Sequence, residues 1–281
     1  MNKNLWLLAT AQGLFLTNNV VFIAINGLVG LQLAPYGWMA TLPVMGYVVG
    51  GALSTALVVV ALLSMACMAA IRFEALPAST TGSAGQGRSL AELMREPVFL
   101  VAVLGAALGY GVMNLLMAAT PLAMQVCGYA FSDAAFVLQW HVIGMFAPGF
   151  FTGHLIKRFG VLPVMGVGVL LNACCVAVAL AGLDLHHFTA ALFLLGVGWN
   201  FLFTGSTTLA LSAYRPEEKD RAQAAINFCV FATMAVTSFA SGALVTTRGW
   251  DLLNYGSLLP IGLTGLALLW LALHRRRALA G

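Results

Sequence analysis

Residues 147–168 read A-P-G-F-F-T-G-H-L-I-K-R-F-G-V-L-P-V-M-G-V-G. A long apolar run halts at Lys157-Arg158-Phe159-Gly160 and resumes at Pro163. This is the pattern of two membrane helices joined by a short cytoplasmic turn. Gly149 and Gly153 would let a neighbouring helix approach closely. The two cations stay with the anionic inner leaflet, which sets the orientation of the chain, and Gly160 allows the tight reversal.

Composition places the whole chain in the same class. Hydrophobic residues make up 61% of the sequence and charged residues 8%, far from the values of soluble domains, and charge-free runs of membrane-crossing length recur. The fold class expected is an all-α integral membrane protein, a polytopic helical bundle of about eight spans. A β-barrel would instead show short alternating segments. The net charge of +4 is no sign of a nucleic-acid partner, because the cations sit in loops and at the C-terminus, where membrane topology accounts for them. The five cysteines, Cys67, Cys127, Cys174, Cys175 and Cys229, lie mostly within apolar runs and show neither a CxxC pair nor metal-ligand spacing. They read as small packing residues, and no cofactor or metal is expected.

Taken in order, Met1-Asn2-Lys3-Asn4 leads into a retained first span over residues 5–30. Gln12, Asn19 and Asn26 recur every seventh residue, with Asn18 beside them, and so form a slowly drifting polar stripe on one helix. Such a stripe must face protein or a water-filled cavity. Interhelical glue and a solute path both satisfy that demand. Residues 38–71 carry no charge; as one helix they would reach ~50 Å against a hydrocarbon core of ~30 Å. The expectation is one long, tilted helix bent near residues 50–54, the alternative being two spans and nine in all. Residues 72–97 form a hydrophilic linker with a small-residue stretch at 78–87 and a short amphipathic helix over 89–96. Six further spans are predicted near 98–124, 133–156, 162–183, 187–212, 223–246 and 252–274, with Ser132 as the N-cap of the second. The predicted domains are a partial N-terminal region (1–71, two spans), the linker (72–97) and a six-helix bundle (98–281).

Orientation follows from counting cations. With Lys157 and Arg158 inside, Lys3, Arg72, Arg88, Arg95, Arg215, Lys219, Arg221 and Arg275 to Arg277 are also inside, and Arg248 alone is outside. The split is one-sided enough to place both termini in the cytoplasm of a cell whose plasma (inner) membrane holds the protein.

Gly153-His154-Leu155-Ile156-Lys157-Arg158-Phe159-Gly160 resembles the G-x-x-x-D-R-x-G loop of the major facilitator superfamily of secondary transporters, with Lys157 where the family usually has Asp. A second stretch, from Tyr214-Arg215-Pro216-Glu217-Glu218 through Lys219-Asp220-Arg221-Ala222-Gln223-Ala224, is similar to the charged loop before that family's penultimate helix. The resemblance covers residues 90–275. It implies a partial fold of that type with a complete six-helix C-terminal half and about four N-terminal spans absent. It also implies a cytoplasmic gating loop built from Gly153, Lys157, Arg158 and Gly160, in which Lys157 does not supply the family's acid. Alternating access in this family rocks two halves about a midplane site; a homodimer is one arrangement that would supply missing surface, though the sequence does not show one.

Any solute site has to be sought among uncharged polar groups, since every Asp, Glu, Lys and Arg falls in a predicted loop or at a span end. Asn200, Thr204, Thr207 and Thr208 recur at helical spacing beside Trp199. Tyr110 and Asn114 share a face, and Gln139, Trp140 and His141 lie within the next span. The candidates for solute contact are therefore Asn19, Asn114, Gln139, His141, Trp199, Asn200, Thr204 and Thr208, expected to line one central cavity. His141 is the one strong titratable candidate for ion coupling, although a packing histidine fits the same position. No nucleophile–base or metal constellation points to an enzyme. Two functions stay open: a secondary carrier of a small, uncharged or weakly polar solute, and a shortened membrane remnant or interaction module that does not transport.

Overall fold

The computed structural model of the chain describes residues 87–280. The expectations for Asn19, for the bend within residues 38–71 and for most of the linker fall outside that range. The described residues are helical throughout, joined by short turns: α1 (Leu90–Arg95), α2 (Pro97–Val126), α3 (Phe131–Phe146), α4 (Gly149–Phe159), α5 (Val161–Ala181), α6 (Leu185–Leu211), a single 3-10 turn (Pro216–Glu218), α7 (Lys219–Thr247) and α8 (Gly249–Ala280). Six of the resulting segments are long and apolar enough to cross a membrane, α3 and α4 together counting as one.

Local chemistry explains the boundaries. Ser89 caps α1 by accepting the Glu92 backbone N–H at 3.3 Å, while the Glu92 carboxylate accepts the Ser89 N–H at 2.6 Å, a reciprocal capping box. That bond to the Ser89 N–H holds the Glu92 carboxyl below its ordinary pKa. Pro97 ends α1, because a residue preceding proline is pushed to extended backbone, as Glu96 is with ψ 117°. The same proline then opens α2, where a missing N–H costs nothing. The N-cap of α3 is Ala130, not Ser132. The cause is Asp133, whose carboxylate accepts the Ala130 N–H at 3.1 Å and so closes the first turn two residues earlier. Gly160 ends α4 at φ +89°, a conformation open to glycine and strained for residues with a Cβ.

The six spans are not equivalent. In α2 and α6, 72% and 61% of the most apolar stretch is buried inside the protein, against 28–39% for the others. These two helices are the axis of the bundle. The α5, α3 and α2 helices pack on α6, α7 and α8 pack on α2, and α8 also meets α5. Small residues permit the approaches. A Cβ on Gly196 would lie 2.5 Å from the His141 carbonyl oxygen, and one on Gly144 2.7 Å from that of Phe193, so α3 and α6 touch backbone to backbone. Gly105 and Gly109 form a close-contact face against Ser206, Met165 and Leu202. Gly153 does not: a Cβ there would meet nothing within 4 Å. Trp250 turns inward and donates its indole N–H to Ala179 O at 2.9 Å, whereas Trp270 stays half-exposed against His274.

Candidate functional site

The second span is broken at its middle. Pro148 has no N–H to return to Gly144, and beyond it Phe151 and Thr152 both donate to Pro148 O. Helix α3 stops at Phe146 and α4 starts at Gly149. The Met145 carbonyl is taken up from outside: the Asn200 side chain of α6 donates Nδ2–H to it at 2.7 Å. On its other side Asn200 Oδ1 accepts from Thr152 Oγ1, also at 2.7 Å. That hydroxyl lies 2.7 Å from Pro148 O as well, so one proton is shared between two acceptors. Asn200 therefore spans the break, tied to both halves of the interrupted helix. An interruption of this kind survives in a membrane only where side chains satisfy the freed carbonyls.

Beside the break lies a group of aromatic rings drawn from three spans. Trp199 stacks on Phe203 with centroids 5.2 Å apart and planes 7° from parallel. Tyr110 of α2 meets Trp199 edge-on at 5.3 Å and Phe203 at 5.5 Å. Phe146, the last residue of α3, approaches Trp199 at 6.4 Å. All four positions fall near the middle of their spans. Trp199 is buried, and its indole N–H has no hydrogen-bond partner among the described residues. Tyr110, Phe146 and Phe203 are half-buried.

The other candidates occupy separate helix contacts. Asn114, fully buried, donates to Met234 O (3.2 Å), Thr237 Oγ1 (3.0 Å) and Ser238 Oγ (2.8 Å), which ties α2 to α7. His141, also fully buried, pairs Nδ1 with Leu192 O at 2.7 Å between α3 and α6, and its Nε2 is unpartnered. Gln139 is exposed. Thr208 donates to Thr204 O within its own helix at 2.7 Å, and Thr207 likewise bonds back to Phe203 O and Thr204 O. The structure thus brings Trp199 and Asn200 to the break, places Asn114 between α2 and α7, and places His141 farther along the α3–α6 contact. Phe146, Phe203 and Thr152 were missed by sequence reasoning, because an apolar ring or a lone threonine in an apolar run carries no local signal. The one available pointer was Pro148 in mid-span.

At the end of the bundle where the Lys157–Arg158 turn lies, a second constellation appears. Glu218, fully buried, accepts from Arg88 N (2.8 Å), Nε (3.0 Å) and Nη2 (2.9 Å), and from Arg215 N (2.9 Å). Arg88 also donates to Ala213 O at 2.7 Å, and Arg221 to the Arg88 carbonyl. The hydrogen bonds it donates to Glu218 are the main reason the Arg88 guanidinium is held above its ordinary pKa. The segment before α1 is thereby fastened to the connection between α6 and α7, which requires both to lie at one end of the bundle. Of the loop motif, Gly153, Lys157, Arg158 and Gly160 are exposed; Arg158 lies over the Phe159 ring at 5.3 Å.

The chain matches the Major Facilitator Superfamily over residues 103–280. It is 42% identical over 169 residues to the riboflavin transporter RfnT of Brucella anthropi, a match covering 60% of this chain and 42% of that protein. Two uncharacterized MFS-type transporters of Bacillus subtilis are also similar: YddS at 28% identity (51% of this chain, 33% of that protein) and YdeG at 27% (48% and 32%). The matched region spans less than half the length of each of these relatives.

Proposed function

The chain belongs to the major facilitator superfamily, and from that premise we propose that it works as a secondary carrier, moving a small solute across the membrane by alternating access. The six-span bundle serves as one of the two rocking halves in this reading. Membership of a transporter family sets the chain apart from enzymes. The observation that carries the proposal is the broken second span. Carrier sites form where helices are interrupted near the midplane, and here the interruption is held by Asn200 and flanked by Trp199.

The solute is small and uncharged or weakly polar, since no charged side chain stands at the break among the described residues. Similarity to a riboflavin transporter makes riboflavin the first solute to test. The protein resides in the inner membrane with its termini cytoplasmic. The turn at Gly153, Lys157, Arg158 and Gly160 and the Arg88–Glu218 pair form its cytoplasmic face. Transporter relatives favour the carrier over a non-transporting remnant or interaction module.

Reconstitution of the purified chain into liposomes tests the proposal, with uptake of riboflavin and a panel of uncharged solutes measured with and without an imposed pH gradient. Saturable uptake above protein-free vesicles is expected. Absence of saturable uptake for every solute would refute the carrier reading.

A further inference from the structure

We propose that the ring cluster around Trp199 is a stacking subsite for a planar, uncharged heteroaromatic solute that presents a hydrogen-bond acceptor at its edge; this rests on the carrier reading above. Two independent features meet at the same place. The first is the discontinuity of the second span, whose last residue before the break, Phe146, is itself one of the rings. The second is the unpartnered indole N–H of Trp199.

That N–H is not how this protein ordinarily treats a buried tryptophan. Trp250, equally enclosed, gives its N–H to Ala179 O, as buried indoles usually do. At Trp199 the donor is present, desolvated and unused. A ring carbonyl or ring nitrogen arriving with a solute would take it. Trp199 thus leaves one donor open beside the ring faces.

The shape of the surroundings selects the solute class. Phe203 lies parallel to Trp199, while Tyr110 and Phe146 stand nearly perpendicular to it at 88° and 78°. Rings in this arrangement offer flat faces and positive edges to another aromatic ring, by offset stacking or edge contact. An open-chain polyol would gain little from them, because its hydroxyls would be desolvated against carbon. A charged ring finds no counter-ion there among the described residues.

The test uses the full chain in lipid nanodiscs and proteoliposomes, with riboflavin as the planar probe and ribitol as the open-chain probe. Trp199→Phe keeps a ring and removes the N–H, Phe203→Leu removes a ring, and Trp270→Phe alters an exposed tryptophan on α8 as a control. Riboflavin binding, read by quenching of flavin fluorescence, should weaken about tenfold in Trp199→Phe and in Phe203→Leu, which is ~1.4 kcal/mol. It should be unchanged in Trp270→Phe. Thermal stability of Trp199→Phe should hold or rise, since an unpaired buried donor has been removed; a purely structural tryptophan would lower it. Equal riboflavin affinity in wild type and Trp199→Phe would overturn the subsite and leave the carrier reading intact. So would saturable ribitol uptake by a protein that binds no riboflavin. Riboflavin binding that responds to these variants, with no uptake of any solute, would uphold the subsite and overturn the carrier reading.

Discussion

Replacing Asn200 by Leu, which keeps the branched shape and removes the amide, should loosen the broken span. Two buried hydrogen bonds are lost, Asn200 Nδ2 to Met145 O and Thr152 Oγ1 to Asn200 Oδ1, both at 2.7 Å. At ~1 kcal/mol net for each, plus ~1 kcal/mol for leaving Met145 O without a donor, the cost comes to ~3 kcal/mol. Membrane interhelical bonds run weaker, averaging ~0.6 kcal/mol, which sets a floor of ~2 kcal/mol for the same sum. Thr152→Val removes the hydroxyl alone and should cost ~1 kcal/mol, because Met145 O keeps its donor. Since the two side chains share a bond, the double variant should fall short of the sum of the singles by ~1 kcal/mol. Reversible unfolding by SDS in mixed micelles measures all four states. A further variant isolates the backbone part: Pro148→Ala restores an N–H to return to Gly144 O and lets the helix run on, so that the Gly149 N–H reaches Met145 O. In that background Asn200→Leu should become cheaper by ~1 kcal/mol. Strict additivity of Asn200→Leu and Thr152→Val, or an undiminished cost of Asn200→Leu in the Pro148→Ala background, would refute the clamp.

Gly196→Val should abolish folded yield, because the added carbons meet the His141 backbone, whereas Gly153→Ala should leave yield unchanged; size-exclusion profiles of the two variants decide this. Glu218→Gln should free the segment around Arg88, seen as several-fold faster tryptic cleavage after Arg88 in inside-out vesicles, with Glu217→Gln as the exposed control. Cleavage at the wild-type rate in Glu218→Gln would mean that the ion pair does not hold that segment. Single cysteines at Lys157 and Arg275 should react with an impermeant maleimide from one face of the membrane and a cysteine at Asp184 from the other; labelling of all three from one face would sink the six-span topology.

Much of the architecture is legible one residue at a time. Residues 147–168 already state an apolar run, two cations, a glycine and a second run, and the structure turns at that glycine, Gly160, with φ +89°. Ser89, Glu92 and Pro97 write the start and stop of α1 in the same local way. Such features depend on neighbours within a few positions: lengths of apolar chain, caps, and backbone angles that only some residues tolerate. Even there, Asp133 outvoted Ser132 because a carboxylate three residues ahead closes the first turn of α3.

Partnership across the bundle was another matter. Periodicity put Asn200, Thr204 and Thr208 on one face and Tyr110 with Asn114 on another. It did not show that Asn200 answers a carbonyl 55 residues away, that Asn114 ties α2 to α7, or that Arg88 ends at Glu218, 130 residues on. In a soluble helix the apolar stripe announces which side faces the core. In a bilayer, lipid and protein interior are equally apolar, so α2 and α8 look alike in sequence although one is the axis of the bundle and the other its edge. Which helix meets which is then decided by close packing at glycines and by the few polar groups that must find partners away from water. Those are properties of surfaces in contact, and they exist only once the helices have come together.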